Sequence, residues 1–325
     1  MTNNKVNKIK EAIIAVTYRC NSRCRMCNIW QSKEWNEISP ELLANLPKNI
    51  KDVNLTGGEP FLYSDLPGAV RAISGRLPKA RIIISTNGFL TGRITEAMKK
   101  IIKIKPDIGA AVSLDGIGRA HDEIRGIPGG FEMALTTIKE LKKIGVKHLK
   151  IGFTIGDYNY KELPKVYALS KELGTEFTIA LVHSSESYFQ KENATHKKNE
   201  IREILEWLKH EELRSWYPKR WARAYFTHGL IEFLDYEKRI LPDYSGQLNI
   251  FIDPAGKIFP CDVSGEDLGS LADNPLKWRS IGVCTAGEKS WMICTARQSM
   301  KKHWVKAGSW IIFNKFRSLT GVNPV

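Results

Sequence analysis

Residues 12–27 read AIIAVTYRCNSRCRMC. A short apolar run, 12–17, gives way to a polar loop that carries Cys20, Cys24 and Cys27 in a C-x3-C-x2-C spacing. The run predicts a β-strand, and the loop places three thiols just past its carboxyl end. Three thiolates on one loop can hold three irons of a [4Fe–4S] cube and leave the fourth open. Zinc is the rival metal, but a structural zinc site wants four ligands and no fourth Cys or His lies nearby in the sequence. Chance burial of three core cysteines is the remaining reading, and the polar and basic residues between them argue against it.

Outward from this stretch, short β-type runs alternate with longer helical ones as far as residue 183. The strand candidates are 12–17, 52–56, 81–86, 108–114, 148–154 and 176–182, each short and most of them rich in Ile or Val. Helical stretches such as 40–46, 92–104, 131–144 and 160–173 lie between them. Six βα units in series predict an α/β fold with a parallel sheet and right-handed crossovers. Six units are too few for a closed eight-unit barrel and suit a partial (β/α)6 TIM-type barrel. Chemistry in such a sheet sits on the loops at the carboxyl ends of strands. Cys20, then Gly57, Gly58, Glu59 and Pro60, then Asn87, Asp115 and His183 stand at those places. By position Asn87, Asp115, His183 and Glu186 are candidate substrate contacts, although a lone His at a strand end is more often a structural hydrogen-bonder.

These motifs together resemble the radical S-adenosylmethionine (SAM) superfamily. The C-x3-C-x2-C loop after a first strand looks like its cluster signature, and Leu55-Thr-Gly-Gly-Glu-Pro60 resembles its glycine-rich motif. Ile84-Ser-Thr-Asn-Gly88, Val112-Ser-Leu-Asp-Gly116 and His121-Asp-Glu-Ile-Arg125-Gly match as well. The resemblance implies a SAM site of Gly57, Gly58, Glu59, Pro60, Ser85, Asn87, Ser113, Asp115 and Arg125. The backbone of the glycine turn and the Glu59 carboxylate would hold the methionine ammonium, and Ser113 and Arg125 its carboxylate. A guanidinium fork suits a carboxylate. A surface ion pair of Arg125 with Asp122 or Glu123 is the plainer reading of that residue. Met26 stands where the family often has an aromatic beside the adenine, and serves as a soft apolar substitute. The implied activity is reductive cleavage of SAM to a 5′-deoxyadenosyl radical that takes hydrogen from an unactivated carbon. A reducing partner such as flavodoxin or ferredoxin is implied with it.

Residues 196–240 read as helical, and 247–262 as a hairpin turning at Asp253-Pro-Ala-Gly256. The stretch Ile252-Asp-Pro-Ala-Gly-Lys-Ile-Phe-Pro-Cys261, followed by Leu268-Gly-Ser-Leu, resembles the opening of the twitch or SPASM auxiliary-cluster module. On that resemblance Cys261, Cys284 and Cys294 hold a second [4Fe–4S] cluster, its fourth ligand being Asp262, a water or substrate. The alternative is three thiols on a degenerate module. The expected division is a core over 1–240, an auxiliary module over 241–297 and a basic aromatic helix over 298–325.

The 325 residues carry a net charge of +14, and no acidic residue follows Glu288. Such charge attracts an anionic partner, whether substrate, nucleic acid or membrane surface. Residues 299–319 read as one helix with Trp304, Val305, Gly308, Ile311, Ile312 and Phe316 on one broad face, interrupted by Lys315. It is either an interfacial helix on an anionic membrane or a packed helix with solvated lysines. A second basic, aromatic stretch at 214–226 tilts the balance to peripheral membrane contact or a lipid-linked substrate. The chain has no spanning apolar run and no signal-sequence pattern, so a cytoplasmic protein is expected. The leading function is dehydrogenation, epimerisation or coupling at a carbon of a saccharide, anionic or lipid-linked substrate. A peptide-modifying maturase is the alternative within the family. A non-catalytic iron–sulfur sensor on nucleic acid is the alternative outside it, but no nucleic-acid module is recognisable, so nucleic acid is not an expected partner.

Overall fold

The computed structural model describes residues 8–185, 188–273 and 290–319. Six strands lie side by side in chain order and all run parallel: β1 (Glu11–Ala15), β2 (Asp52–Thr56), β3 (Arg81–Thr86), β4 (Gly109–Ser113), β5 (His148–Ile155) and β6 (Glu176–Leu181). Parallel neighbours require crossovers. These are built from α1 (Pro40–Leu43), α2 (Leu66–Arg76), α3 (Thr91–Ile104), α4 (Arg119–Arg125), α5 (Gly130–Lys143) and α6 (Leu163–Glu172). Local chemistry sets several helix ends. Asp65 Oδ1 accepts from Gly68 N at 2.9 Å to start α2, and Gly126 in the left-handed region, φ 66°, ends α4.

Strand alternation divides the sheet into two environments. Val53, Leu55, Ile82, Ile84, Ala110, Val112, Ile151 and Phe153 are buried in the main core with Ile73, Ile94 and Ile138 from the helices. The opposite parity, including Asn54, Thr56, Ser85, Ser113 and Thr154, is only half-buried and lines the inner, concave side. Period-2 geometry forces this division, because neighbouring side chains on a strand point to opposite faces.

The hairpin forms where expected, as β7 (Asn249–Ile252) and β8 (Lys257–Phe259), with β9 (Gly269–Ser270) beside it. Asp253 Oδ1 accepts from Ala255 N at 3.0 Å and Lys257 N at 2.8 Å, which closes the turn. The hairpin does not stand apart from the core. β7 pairs in parallel with β1 on the side away from β2, so one sheet runs β6-β5-β4-β3-β2-β1-β7-β8-β9. Its edges are β6 and β9, which leaves the barrel open.

Four further helices are described: α7 (Lys198–Arg214), α8 (Pro218–Tyr236), α9 (Ile293–Lys302) and α10 (Trp304–Leu319). The tail expected as one helix is therefore two, broken at His303. The Tyr244 hydroxyl meets His303 Nε2 at 2.7 Å, and the two rings stack with centroids 5.8 Å apart. Of the four basic residues in 214–226, Arg214 and Lys219 face solvent and Arg220 and Arg223 turn inward. Arg220 and Arg223 both meet the buried Glu212 carboxylate, at 3.1 and 3.2 Å. Lys315, the charge that interrupted the apolar pattern, is itself buried. Its ammonium donates to the carbonyls of Leu213 and Ser215, at 2.6 and 3.0 Å, and so satisfies the carboxyl end of α7. Among the described residues no helix is long and apolar enough to cross a membrane.

Lys315→Met removes a charged donor from two carbonyls while keeping most of the volume. It should cost about 1–3 kcal/mol, seen as a lower urea midpoint with an unchanged slope.

Candidate active site

The loop after β1 is fixed from three sides. Arg23 N and the Ser22 hydroxyl donate to the Arg125 carbonyl at 2.9 and 3.0 Å, and Arg25 N donates to the Ile124 carbonyl at 2.8 Å, which ties the loop to the end of α4. Asn87 Nδ2 donates to Asn21 Oδ1 at 2.8 Å from the loop after β3. From the segment after β6, Asn28 N donates to the Phe189 carbonyl at 2.8 Å and Asn193 Nδ2 to the Met26 carbonyl at 3.1 Å. So held, Cys20, Cys24 and Cys27 all line one cavity of about 330 Å³ at the carboxyl ends of the strands. That is the size range of small-ligand sites.

The glycine-rich turn after β2 meets the cysteine loop backbone to backbone. Gly58 N donates to the Thr17 carbonyl and Glu59 N to the Arg19 carbonyl, both at 2.8 Å. A Cβ on Gly57 would lie 2.2 Å from the Thr17 oxygen, and one on Gly58 2.3 Å from the Arg19 oxygen. Gly57 also has φ 144°, which disfavours any side chain. The two glycines are thus required by the approach of the protein's own chain, whatever they offer a ligand.

Glu59 is fully buried behind this turn. Its Oε1 accepts from Thr86 Oγ1 at 2.8 Å and Phe61 N at 3.1 Å, and its Oε2 from Asn87 N at 2.7 Å. Burial pushes its carboxyl up to about 7, against those hydrogen bonds. The carboxylate locks β2's turn to the end of β3.

The residues of the His121-Asp-Glu-Ile-Arg125-Gly segment each have a structural partner. His121 Nδ1 accepts from Asp115 N at 3.1 Å, and Asp122 accepts from Gly129 N and Phe131 N at 2.7 and 2.8 Å, capping α5. Arg125 pairs with the buried Asp115 at 2.6 Å, not with Asp122 or Glu123. Its Nη1 also lies 3.6 Å from Cys24 Sγ, and its Nε has no hydrogen-bond partner although buried in the cavity wall. Asp115 further accepts from Thr154 N at 2.8 Å, which knits β4 to β5. Burial pushes the Asp115 carboxyl up, and the adjacent guanidinium opposes that.

Of the nine residues expected at the SAM site, Gly57, Gly58, Ser85, Asn87, Ser113 and Arg125 line the cavity with Met26. Glu59, Pro60 and Asp115 do not; they stand behind the wall and hold the residues that form it. His183 also lines the cavity, with Nδ1 3.2 Å from the Leu181 carbonyl, and Glu186 lies outside the described residues. Not foreseen were Asn54, Thr56, Thr154 and Ala180, whose strand parity matches that of Ser85 and Ser113. Tyr188 and Phe189 also enter the wall, from a loop without a sequence signal. The Tyr188 hydroxyl donates to the Gly57 carbonyl at 2.8 Å, and its ring packs 4.9 Å from Phe251 of β7.

Cys261 is buried and Cys294 half-buried, while Cys284 falls outside the described residues. Cys294 packs on the same apolar cluster as Cys20 and Cys27, and its neighbour Met292 lines the cavity. Among the described residues no three His, Cys, Asp or Glu side chains converge tightly enough for a single metal ion. Three thiols around one cavity fit a [4Fe–4S] cube, which takes three thiolates and leaves one iron open. The orphaned guanidinium Nε in the wall likewise offers a donor to an anionic group.

Gly58→Ala drives a methyl group into the Arg19 carbonyl. It should destabilise the fold by about 1–3 kcal/mol and lower the iron retained after anaerobic reconstitution, measured by iron-to-protein ratio against wild type.

The family model for the radical SAM superfamily matches residues 14–170. An Fe-coproporphyrin III synthase of Methanosarcina barkeri is 34% identical over 51% of this chain and 42% of its own length. A pre-heme d1 synthase of Dinoroseobacter shibae is 30% identical over 50% of this chain and 40% of its own. A GTP 3′,8-cyclase of Aliarcobacter butzleri is 26% identical over 61% of this chain and 62% of its own. The match thus spans about two fifths of the first two relatives and less than two thirds of the third. Among solved structures, native anSMEcpe with bound AdoMet superimposes with a TM-score of 0.64 at 16% identity, over 93% of this chain and 98% of that one. SuiB of Streptococcus suis bound to S-adenosylmethionine gives 0.62 at 17% identity, over 83% and 65%. These two likenesses show the fold, a partial barrel that extends through the C-terminal helices. The cysteine loop, the strand-end cavity and the matched segment lead to one conclusion: residues 14–170 form a radical SAM domain, of the superfamily whose enzymes work with a [4Fe–4S] cluster and SAM.

Proposed function

We propose that Cys20, Cys24 and Cys27 hold the [4Fe–4S] cluster. SAM then lies in the cavity against Gly57, Gly58, Ser85, Asn87, Ser113 and Arg125. The observation that carries this reading is that three thiols and a row of polar strand ends face the same small cavity. When bound, the cluster and SAM supply a one-electron cleavage that yields a 5′-deoxyadenosyl radical. The protein's own part is placement and exclusion of water. Arg125, held by Asp115, presents guanidinium nitrogens beside Cys24, where the carboxylate of an amino acid can be met with its charge compensated. Glu59 and Pro60 act one step back: they fix the glycine turn, and Glu59 also holds the backbone of Asn87.

Tyr188, Phe189, Trp30, Met26 and Met292 give the cavity an apolar mouth that limits water around a reactive radical. The reaction class is hydrogen abstraction from an unactivated carbon, leading to dehydrogenation, epimerisation or coupling. An anionic small molecule, saccharide or lipid-linked, is the favoured substrate. The net charge of +14 supports it, and the relatives named for coproporphyrin, heme d1 and GTP point to anionic molecules. A flavodoxin or ferredoxin is the proposed electron donor. A second cluster on Cys261, Cys284 and Cys294 belongs to the same proposal. Its support is the β7–β8 hairpin, which forms as the auxiliary-module resemblance implies and ends just before Cys261.

The test is an anaerobic assay for 5′-deoxyadenosine with SAM and dithionite. Wild type should release the nucleoside only when both are present, and Cys24→Ala should release none. Arg125→Lys keeps the charge and loses the fork, so the rate at subsaturating SAM should fall about 10- to 100-fold, in line with the loss of a charge-assisted bidentate contact. Reductant-independent release, or equal release by Cys24→Ala, would contradict the assignment.

A further inference from the structure

Helix α10 is docked by its less apolar side. Trp310 stacks on His228 at 4.7 Å and meets Tyr225 edge-on at 5.3 Å, while Ala307 and Asn314 are buried. That fixes the orientation of the helix on α8. Val305, Ile312 and Phe316, at helical spacing, are left outside with exposures of 59, 61 and 66%. Phe313 beside them and Trp304 at the first turn are 57 and 71% exposed. An open apolar dent runs between Ile312, Phe313 and Phe316. A monomer gains nothing by turning this face to water. Scattered apolar residues are ordinary on a surface, but a continuous helix face of aromatics marks an interaction site.

The charged side chains of α9 and α10 have one sign. Arg297 is paired with Glu11 at 3.1 Å, Lys301 with Asp52 at 3.0 Å, and Lys315 serves the end of α7. Lys306 and Arg317 lie towards one border of the apolar face by helical spacing. Lys306 reaches the Ile240 carbonyl at 3.0 Å, Lys302 lies over the Tyr244 ring at 3.7 Å and Arg317 over the Phe313 ring at 5.5 Å, contacts that leave each positive charge in place, and no acidic residue follows Glu288 in the sequence. Trp216, 74% exposed, extends the surface, its ring centroid 4.7 Å from the Lys315 ammonium.

We propose that this face of α10 docks on an anionic lipid bilayer, with the helix lying in the plane of the headgroups. Apolar side chains enter the acyl boundary, and Lys302, Lys306 and Arg317 meet lipid phosphates. A second copy of the chain fits poorly, because it would set the same cations against one another. A partner groove that embraces a helix fits poorly too, because half of α10 is already held by its own domain. A flat, negative, apolar-beneath surface matches the exposed half-cylinder. This inference is independent of the radical chemistry and is tested without cluster or SAM.

The full chain is sedimented with vesicles of phosphatidylcholine alone and with vesicles containing phosphatidylglycerol, over a series of salt concentrations. Wild type should bind the anionic vesicles at least about tenfold more tightly, with affinity falling as salt rises. Ile312→Ser with Phe316→Ser should weaken binding about tenfold or more while the urea midpoint stays near wild type. Lys302→Gln with Lys306→Gln should weaken it several-fold and flatten the salt dependence. Absent binding to anionic vesicles, equal binding to both vesicle types, or unchanged binding by both variants overturns the proposal. So does self-association in solution that Ile312→Ser with Phe316→Ser abolishes while vesicles are ignored, which would make the face a contact between copies.

Discussion

The site depends on one close approach, that of residues 17–19 to Gly57 and Gly58. Two backbone hydrogen bonds of 2.8 Å join the loop after β1 to the turn after β2, with no side chain between them. This contact fixes where the cysteine loop leaves the sheet, and hence where three thiols point. It also gives the turn its second task. The glycines that line the cavity are the ones that let the cysteine loop come close. A mutation here would disturb metal and ligand binding together.

Around that contact the wall of the cavity is held by buried charges that do not face it. Glu59 spans from the glycine turn to Asn87, and Asp115 spans from Arg125 to the backbone of β5. Such carboxylates are costly to bury and strongly destabilising to orphan, so each pins two strand ends to a single geometry. Preorganisation of this kind, support behind the wall rather than contact across it, suits a site that must hold a reactive species still.

Much of this was legible in the sequence, for identifiable reasons. The six parallel strands showed as short Ile- and Val-rich runs, and 81–86 matches β3 without a residue's difference. Their order followed from the crossovers alone. The cysteines, Ser85, Asn87, Ser113 and Arg125 were readable because they stand at strand ends in compact motifs. Asn54, Thr56 and Thr154 were readable in principle, since strand parity places them with Ser85. Tyr188 and Phe189 were not, because only tertiary contacts bring their loop over the cysteines. The buried standing of Glu59 was hidden for the same reason: its partners lie about 27 residues away. In the tail, the amphipathic pattern disclosed an apolar face but not which way it turns, and no Gly or Pro marks the break at His303. At the break His303 meets Tyr244, 59 residues earlier, a tertiary contact the local sequence does not disclose.

The measurement that bears most directly on the central claim is an anaerobic iron count with EPR, with and without SAM, on wild type and on the Cys20→Ala, Cys24→Ala, Cys27→Ala triple variant. The account predicts two cubes, about eight irons in wild type and about four in the variant, with SAM perturbing the wild-type signal alone. About four irons in wild type and none in the variant would keep the cysteine-loop cluster and remove the second one. No iron in wild type, or a spectrum indifferent to SAM, would contradict the account at its root.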